Sequence, residues 1–147
     1  MIASEKQGTP ITDQGAQVRP DDPPHQPIAM GIVRFLLEVV AFCAIAHAGW
    51  RVGDGGFSGT LLAVLCFAIA AAFWGTFSVR DDPSRNPKPM IGVHGWVRLI
   101  VEFAVYGAAA WSLWMFTSRA ASETFLTVLV ITTVVGWDRI WWMLRYR

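Results

Sequence analysis

The feature that most constrains this chain is a set of four apolar runs, covering about residues 30–50, 60–79, 96–117 and 123–144. An α-helix needs roughly 20 apolar residues to cross a hydrocarbon core about 30 Å thick. In that medium every backbone N–H and C=O must be satisfied internally, so an open-ended apolar segment has to be helical. The runs predict an all-α integral membrane fold with four transmembrane helices. Composition agrees, since 54% of the 147 residues are apolar, 16% are charged, and the charges gather between the runs. A formal net charge of +1 gives no basis for a nucleic-acid partner.

Two connections are short: the Gly-rich turn at residues 51–59, and residues 118–122, where Ser122 is the predicted N-cap. The third, residues 80–95, contains Pro83, Pro87 and Pro89 and divides the chain into two helical hairpins. The hairpins read as a tandem repeat. Aligning residues 34–50 with 98–114 superposes Arg34 on Arg98, Glu38 on Glu102, two alanines, and Trp50 on Trp114. With two crossings in each half, both halves insert in the same orientation, a parallel internal repeat.

Residues 1–29 are polar, carry Pro10, Pro20, Pro23, Pro24 and Pro27, and have no apolar periodicity. Such a tail is predicted to be disordered or extended, suited to lie as a strap on a partner protein. Residues 30–147 form the membrane domain. Lys6, Arg19, Arg34, Arg80, Arg85, Lys88, Arg98, Arg139, Arg145 and Arg147 fall on one side of the four crossings, against Arg51 and Arg119 on the other. By the positive-inside rule both termini are cytoplasmic, in a bacterial plasma membrane. Ala46-His-Ala48 has the form of a cleavage box, but the leader would carry a long acidic, Pro-rich tail and two charges, so cleavage is not expected.

The candidate functional residues are the charges inside the runs. Each costs roughly 2.5 to 3.5 kcal/mol at mid-membrane, which makes Arg34, Glu38, Arg98 and Glu102 the first residues to explain. On a helix Arg34 and Glu38 are one turn apart, as are Arg98 and Glu102, so each pair forms an i to i+4 ion pair. If the two glutamates lie at similar depth, the four charges close into a square. That square reads as a structural polar cluster fixing helix register, with proton or cation handling by the two glutamates as the sharper alternative and contact with a partner subunit or lipid headgroup as a third. Small residues at Ala44/Ala48, Ala68/Ala72, Ala71/Gly75 and Ala104/Ala108 suit close helix packing. Trp74, Trp137, Trp141, Trp142 and Tyr146 are expected in one interfacial aromatic belt, and Trp50, Trp111 and Trp114 in the other. Asp138 and Arg139, together near the cytoplasmic end, either extend the polar cluster or, as the favoured expectation, end the helix in the wet headgroup layer.

No chemistry stands out. Cys43 and Cys66 read as buried small hydrophobes with no metal-ligand spacing. His47 lies inside a run, but the repeat puts Trp111 where a second haem ligand would stand, so no cofactor or metal is implied. Without a nucleophile set, a phosphate loop or a paired-cysteine motif, the chain is not expected to be an enzyme.

The pattern Arg34-Phe-Leu-Leu-Glu38 … Gly49-Trp50, then Trp74-Gly75-Thr-Phe77, a loop through Pro87-Lys88-Pro89, and Arg98-Leu-Ile-Val-Glu102 resembles the YrdB family of small four-helix bacterial membrane proteins. The likeness covers about residues 31–144 and departs from the family at Arg80-Asp-Asp-Pro83-Ser-Arg85-Asn. It implies a shared interface at Trp74, Gly75 and Phe77, and no reaction. Chains of this kind with an Arg-, Ala- and Gly-rich composition are similar to an accessory subunit beside the cytochrome aa3 oxidase in actinobacterial bcc:aa3 respiratory supercomplexes. That likeness implies a non-catalytic subunit with other membrane subunits and lipid as partners. The competing expectations are a small proton-coupled transporter using Glu38 and Glu102, and an assembly factor that leaves the mature complex.

Overall fold

A computed structural model describes residues 27–78 and 91–145. The predicted tail strap, the loop with Arg80, Arg85, Lys88 and its prolines, and Tyr146 and Arg147 lie outside the described residues. The fold is all-helical, with α1 Ile28–Val52, α2 Gly56–Thr76, α3 Gly95–Phe116, α4 Arg119–Val135 and α5 Trp137–Arg145. One two-residue parallel contact, β1 Phe77–Ser78 with β2 Ile91–Gly92, sets the end of α2 beside the start of α3.

Three helices, α1, α2 and α3, are each long and apolar enough to cross a membrane. The fourth apolar run differs from expectation: α4 and α5 meet at a 66° bend instead of forming one straight helix. The break falls at Gly136, a poor helix former, whose N–H still bonds back to the Thr132 carbonyl. The start of α4 also shifts. Ser118, rather than Ser122, caps it by accepting from the Ala121 N–H at 3.1 Å, while the Ser122 hydroxyl donates to the Ala110 carbonyl on α3 at 2.9 Å.

Helices α1 and α3 form the centre, α2 packs along α1, and α4 packs on α3. The core gathers Leu37, Ala41, Ala44, Trp74, Val101, Val105, Tyr106, Ala109 and Phe125. Around it the polarity of a soluble protein is inverted. Phe35, Leu36, Ile69, Ile100, Phe103 and Val130 are exposed while Arg98, Glu102 and Arg139 are buried. An apolar exterior around a charged interior is what a lipid environment selects, because the hydrophobic effect supplies no drive to hide leucine from lipid.

The tight helix contacts fall on glycines rather than on the predicted alanine pairs. Gly49 sits so close to α2 that a Cβ there would come within 2.8 Å of the Leu62 carbonyl oxygen, and Gly95 abuts the Met143 backbone on α5. The turn between α1 and α2 has positive φ at Asp54, Gly55 and Gly56, which explains its glycine content. Of the predicted pairs, Ala44 is buried, whereas Ala68, Ala72, Gly75, Ala104 and Ala108 are exposed.

The obstruction at Gly95 is backbone and cannot rotate away, so Gly95→Val must push α5 off α3. It is expected to destabilise the bundle by about 1 to 3 kcal/mol. Gly107→Ala, in the middle of α3 with nothing within 4 Å, should leave the bundle intact and raise its stability in mixed micelles by about 0.5 to 1 kcal/mol.

Candidate functional site: an arginine cluster on one glutamate

The site grows from three helices that together bring four costly charges inward. Arg34 lies two turns into α1, Glu102 two turns into α3 with Arg98 one turn before it, and Arg139 enters from α5. The bend at Gly136 turns α5 across the end of the bundle, so that Arg139 and Met143 point inward and Trp137 and Trp141 stay exposed. At the exposed end, the Arg145 guanidinium stacks 4.6 Å from the Trp141 ring.

The Glu102 carboxylate is the hub. Its Oε1 accepts from Arg139 Nη2 at 3.0 Å and stands 3.3 Å from Arg98 Nε. Its Oε2 accepts from Arg34 Nη2 at 3.1 Å and from Arg139 Nη1 at 3.3 Å. Each oxygen thus has two cationic neighbours, and Arg139 grips the carboxylate with both arms of its fork. One acidic side chain on α3 ties together α1, α3 and α5.

Arg98 has a second task. Its Nη1 donates to the backbone carbonyls of Trp74 at 2.7 Å and Phe77 at 2.8 Å, and its guanidinium lies 4.2 Å from the Trp74 ring centroid. The end of an α-helix leaves carbonyls unsatisfied and carries partial negative charge, so Arg98 both caps α2 and offsets its dipole. The Trp74-Gly75-Thr-Phe77 stretch is therefore bound to the arginine cluster through its backbone. Trp74 itself is 5% exposed and packs edge-on against Tyr106 and Phe42, which corrects its expected place in an aromatic belt. Gly75 is exposed and Phe77 half-buried against the core. Trp50, Trp111 and Trp114 are exposed, as a belt requires.

Of the four residues of the expected square, Glu102 meets both Arg34 and Arg98, and Arg139 joins them. Arg34 reaches across to α3 and pairs with Glu102. Glu38 is half-buried, takes part in an interaction of its own, and lies within electrostatic range of Tyr106. Arg139, expected in the wet headgroups, is buried on Glu102. A charged residue just after a helix-breaking glycine was the available signal for it, because such a break lets the chain turn back over the bundle.

Space beside the cluster is small. A cavity of about 20 Å³, bordered by Arg34, Glu102, Tyr106, Thr132 and Arg139, has room for about one water molecule. Small-molecule sites typically measure about 300 to 1,000 Å³. Among the described residues, no group of three His, Cys, Asp or Glu side chains is placed to hold a metal ion, and His47 stacks on Trp50.

The family of proteins of unknown function DUF2568 matches residues 32–131. This chain belongs to that family. It is 30% identical over 114 residues to the uncharacterized protein YrdB of Bacillus subtilis (strain 168), an alignment covering 78% of this chain and 92% of YrdB. No solved structure matches the chain. The matched segment contains Arg34, Glu38, Trp74, Arg98 and Glu102 and ends before Arg139.

Removing one member of a buried ion cluster leaves the others uncompensated, at about 3 to 5 kcal/mol. Glu102→Gln should lower the unfolding free energy by about that amount in mixed micelles. Glu38→Gln, at a half-buried rather than a buried side chain, should cost less than Glu102→Gln. Equal losses would restore the symmetric square.

Proposed function

We propose that this chain is a non-catalytic accessory subunit of a larger membrane complex. The observation that carries the reading is the closed state of its polar interior. Both Glu102 oxygens are committed to arginines of three helices, and the adjoining space holds about one water. Such a cluster braces a bundle, and a brace whose adjoining cavity is far below substrate size is suited to assembly. The outward small residues Ala104, Gly107 and Ala108 on α3 and Ala68 and Ala72 on α2 favour the same reading, since small residues let a neighbouring helix approach.

On this proposal the bent α4–α5 pair counts as one broken crossing, which gives four spans, with both termini cytoplasmic in the plasma membrane. The respiratory cytochrome bcc:aa3 supercomplex is the partner complex to which the sequence resemblance points. Transport by Glu38 and Glu102 has less support, because a carboxylate gripped by three guanidinia is poorly placed to pick up and release protons or cations.

The test is purification of the full chain from its native membrane in a mild detergent. The proposal expects co-migration with other membrane subunits at a fixed ratio in the finished complex. Presence only in immature complexes would make it an assembly factor, and a lone monomer would refute the subunit reading. Glu38-dependent uptake into proteoliposomes would establish transport instead.

A further inference from the structure

An apolar groove of about 490 Å³ runs between α1 and α4, walled by Val33, Leu37 and Val40 on one side and Thr124, Phe125 and Val128 on the other. Val40 and Thr124 are exposed, so it opens sideways toward lipid. Its size falls within the range of small-molecule sites, and almost all of its lining is apolar.

One end of this groove borders the arginine cluster. Leu37 lines both the groove and the small cavity on Glu102, and Arg34 lies between the groove residues Val33 and Leu37. Arg34 is the least enclosed of the three arginines, with 18% of its side chain accessible against 1% for Arg98 and 9% for Arg139. A guanidinium carries five N–H donors. Among the described residues Arg34 uses one nitrogen, Nη2, to reach Glu102.

A partly accessible, incompletely used guanidinium at the mouth of an apolar groove has the chemistry of an anionic amphiphile's site. We infer that the α1–α4 groove holds one acyl chain of an anionic phospholipid whose phosphate is bound by Arg34. A partner helix would fill the groove with apolar side chains but bring no acceptor to the remaining N–H donors of Arg34; a lipid phosphate does both. This inference does not depend on which complex the chain joins.

Native mass spectrometry of the full chain in detergent, titrated with phosphatidylglycerol or with phosphatidylcholine of identical acyl chains, tests it. One phosphatidylglycerol should be retained with about tenfold or greater preference, because both lipids offer a phosphate but only phosphatidylglycerol carries a net negative charge, the choline cancelling it in the other. Arg34→Gln should reduce that preference to about threefold or less. Because Arg34 also braces the bundle, Thr124→Phe provides a second variant, which fills the groove away from the cluster and should weaken phosphatidylglycerol binding by about tenfold. Equal retention of the two lipids would overturn the proposal. So would displacement by millimolar inorganic phosphate alone, or unchanged binding in Thr124→Phe. A dimer abolished by Thr124→Phe at unchanged lipid count would assign the groove to a second copy of the chain.

Discussion

The structure depends on the carboxylate of Glu102. A single buried carboxylate in a membrane bundle is unfavourable, and so is each buried guanidinium; brought together with near-ideal geometry, they offset one another's desolvation. Because the partners come from α1, α3 and α5, the offset is available only when those helices are in register. The cluster thereby turns an electrostatic penalty into a constraint on assembly. Lipid-facing apolar surface cannot impose such a constraint, since leucine gains little by choosing helix over lipid.

Two consequences reach beyond the cluster itself. Arg98 couples Glu102 to the backbone end of α2, so the hairpin formed by α1 and α2 is held both by its glycine contacts and by the central charge. Arg139 requires α5 to fold back, which the break at Gly136 permits and the close approach of Gly95 to Met143 accommodates. Backbone features that look unrelated in the chain, a glycine before α5 and a glycine opening α3, serve one ion cluster.

Much of this was legible in the sequence, and the reasons are physical. Apolar runs of membrane length leave the backbone no alternative to helix, so α1, α2 and α3 follow from hydropathy with ends shifted by a few residues. Cost alone marked Arg34, Arg98 and Glu102. Their partners were harder to read, because i to i+4 spacing offers an obvious local pair and sequence holds no record of which helices become neighbours. The reach of Arg34 to Glu102 on α3 was therefore hidden. Arg139 was obscured by its position near the end of an apolar run, where a charge normally reaches headgroups, and Trp74 by the frequency of tryptophan in interfacial belts. Positions that the sequence pattern matches share only part of their work: Trp50 and Trp114 both face outward, whereas Glu102 collects three arginines from three helices.

The claim that Glu102 joins separate helices is tested most directly by a double-mutant cycle with Arg139, using Arg139→Met, Glu102→Gln and the pair, read by reversible unfolding in mixed micelles. A shared buried contact predicts a coupling energy of about 2 kcal/mol or more between the two sites. Losses that add to within about 0.5 kcal/mol would mean that Arg139 and Glu102 act independently, and would contradict the account.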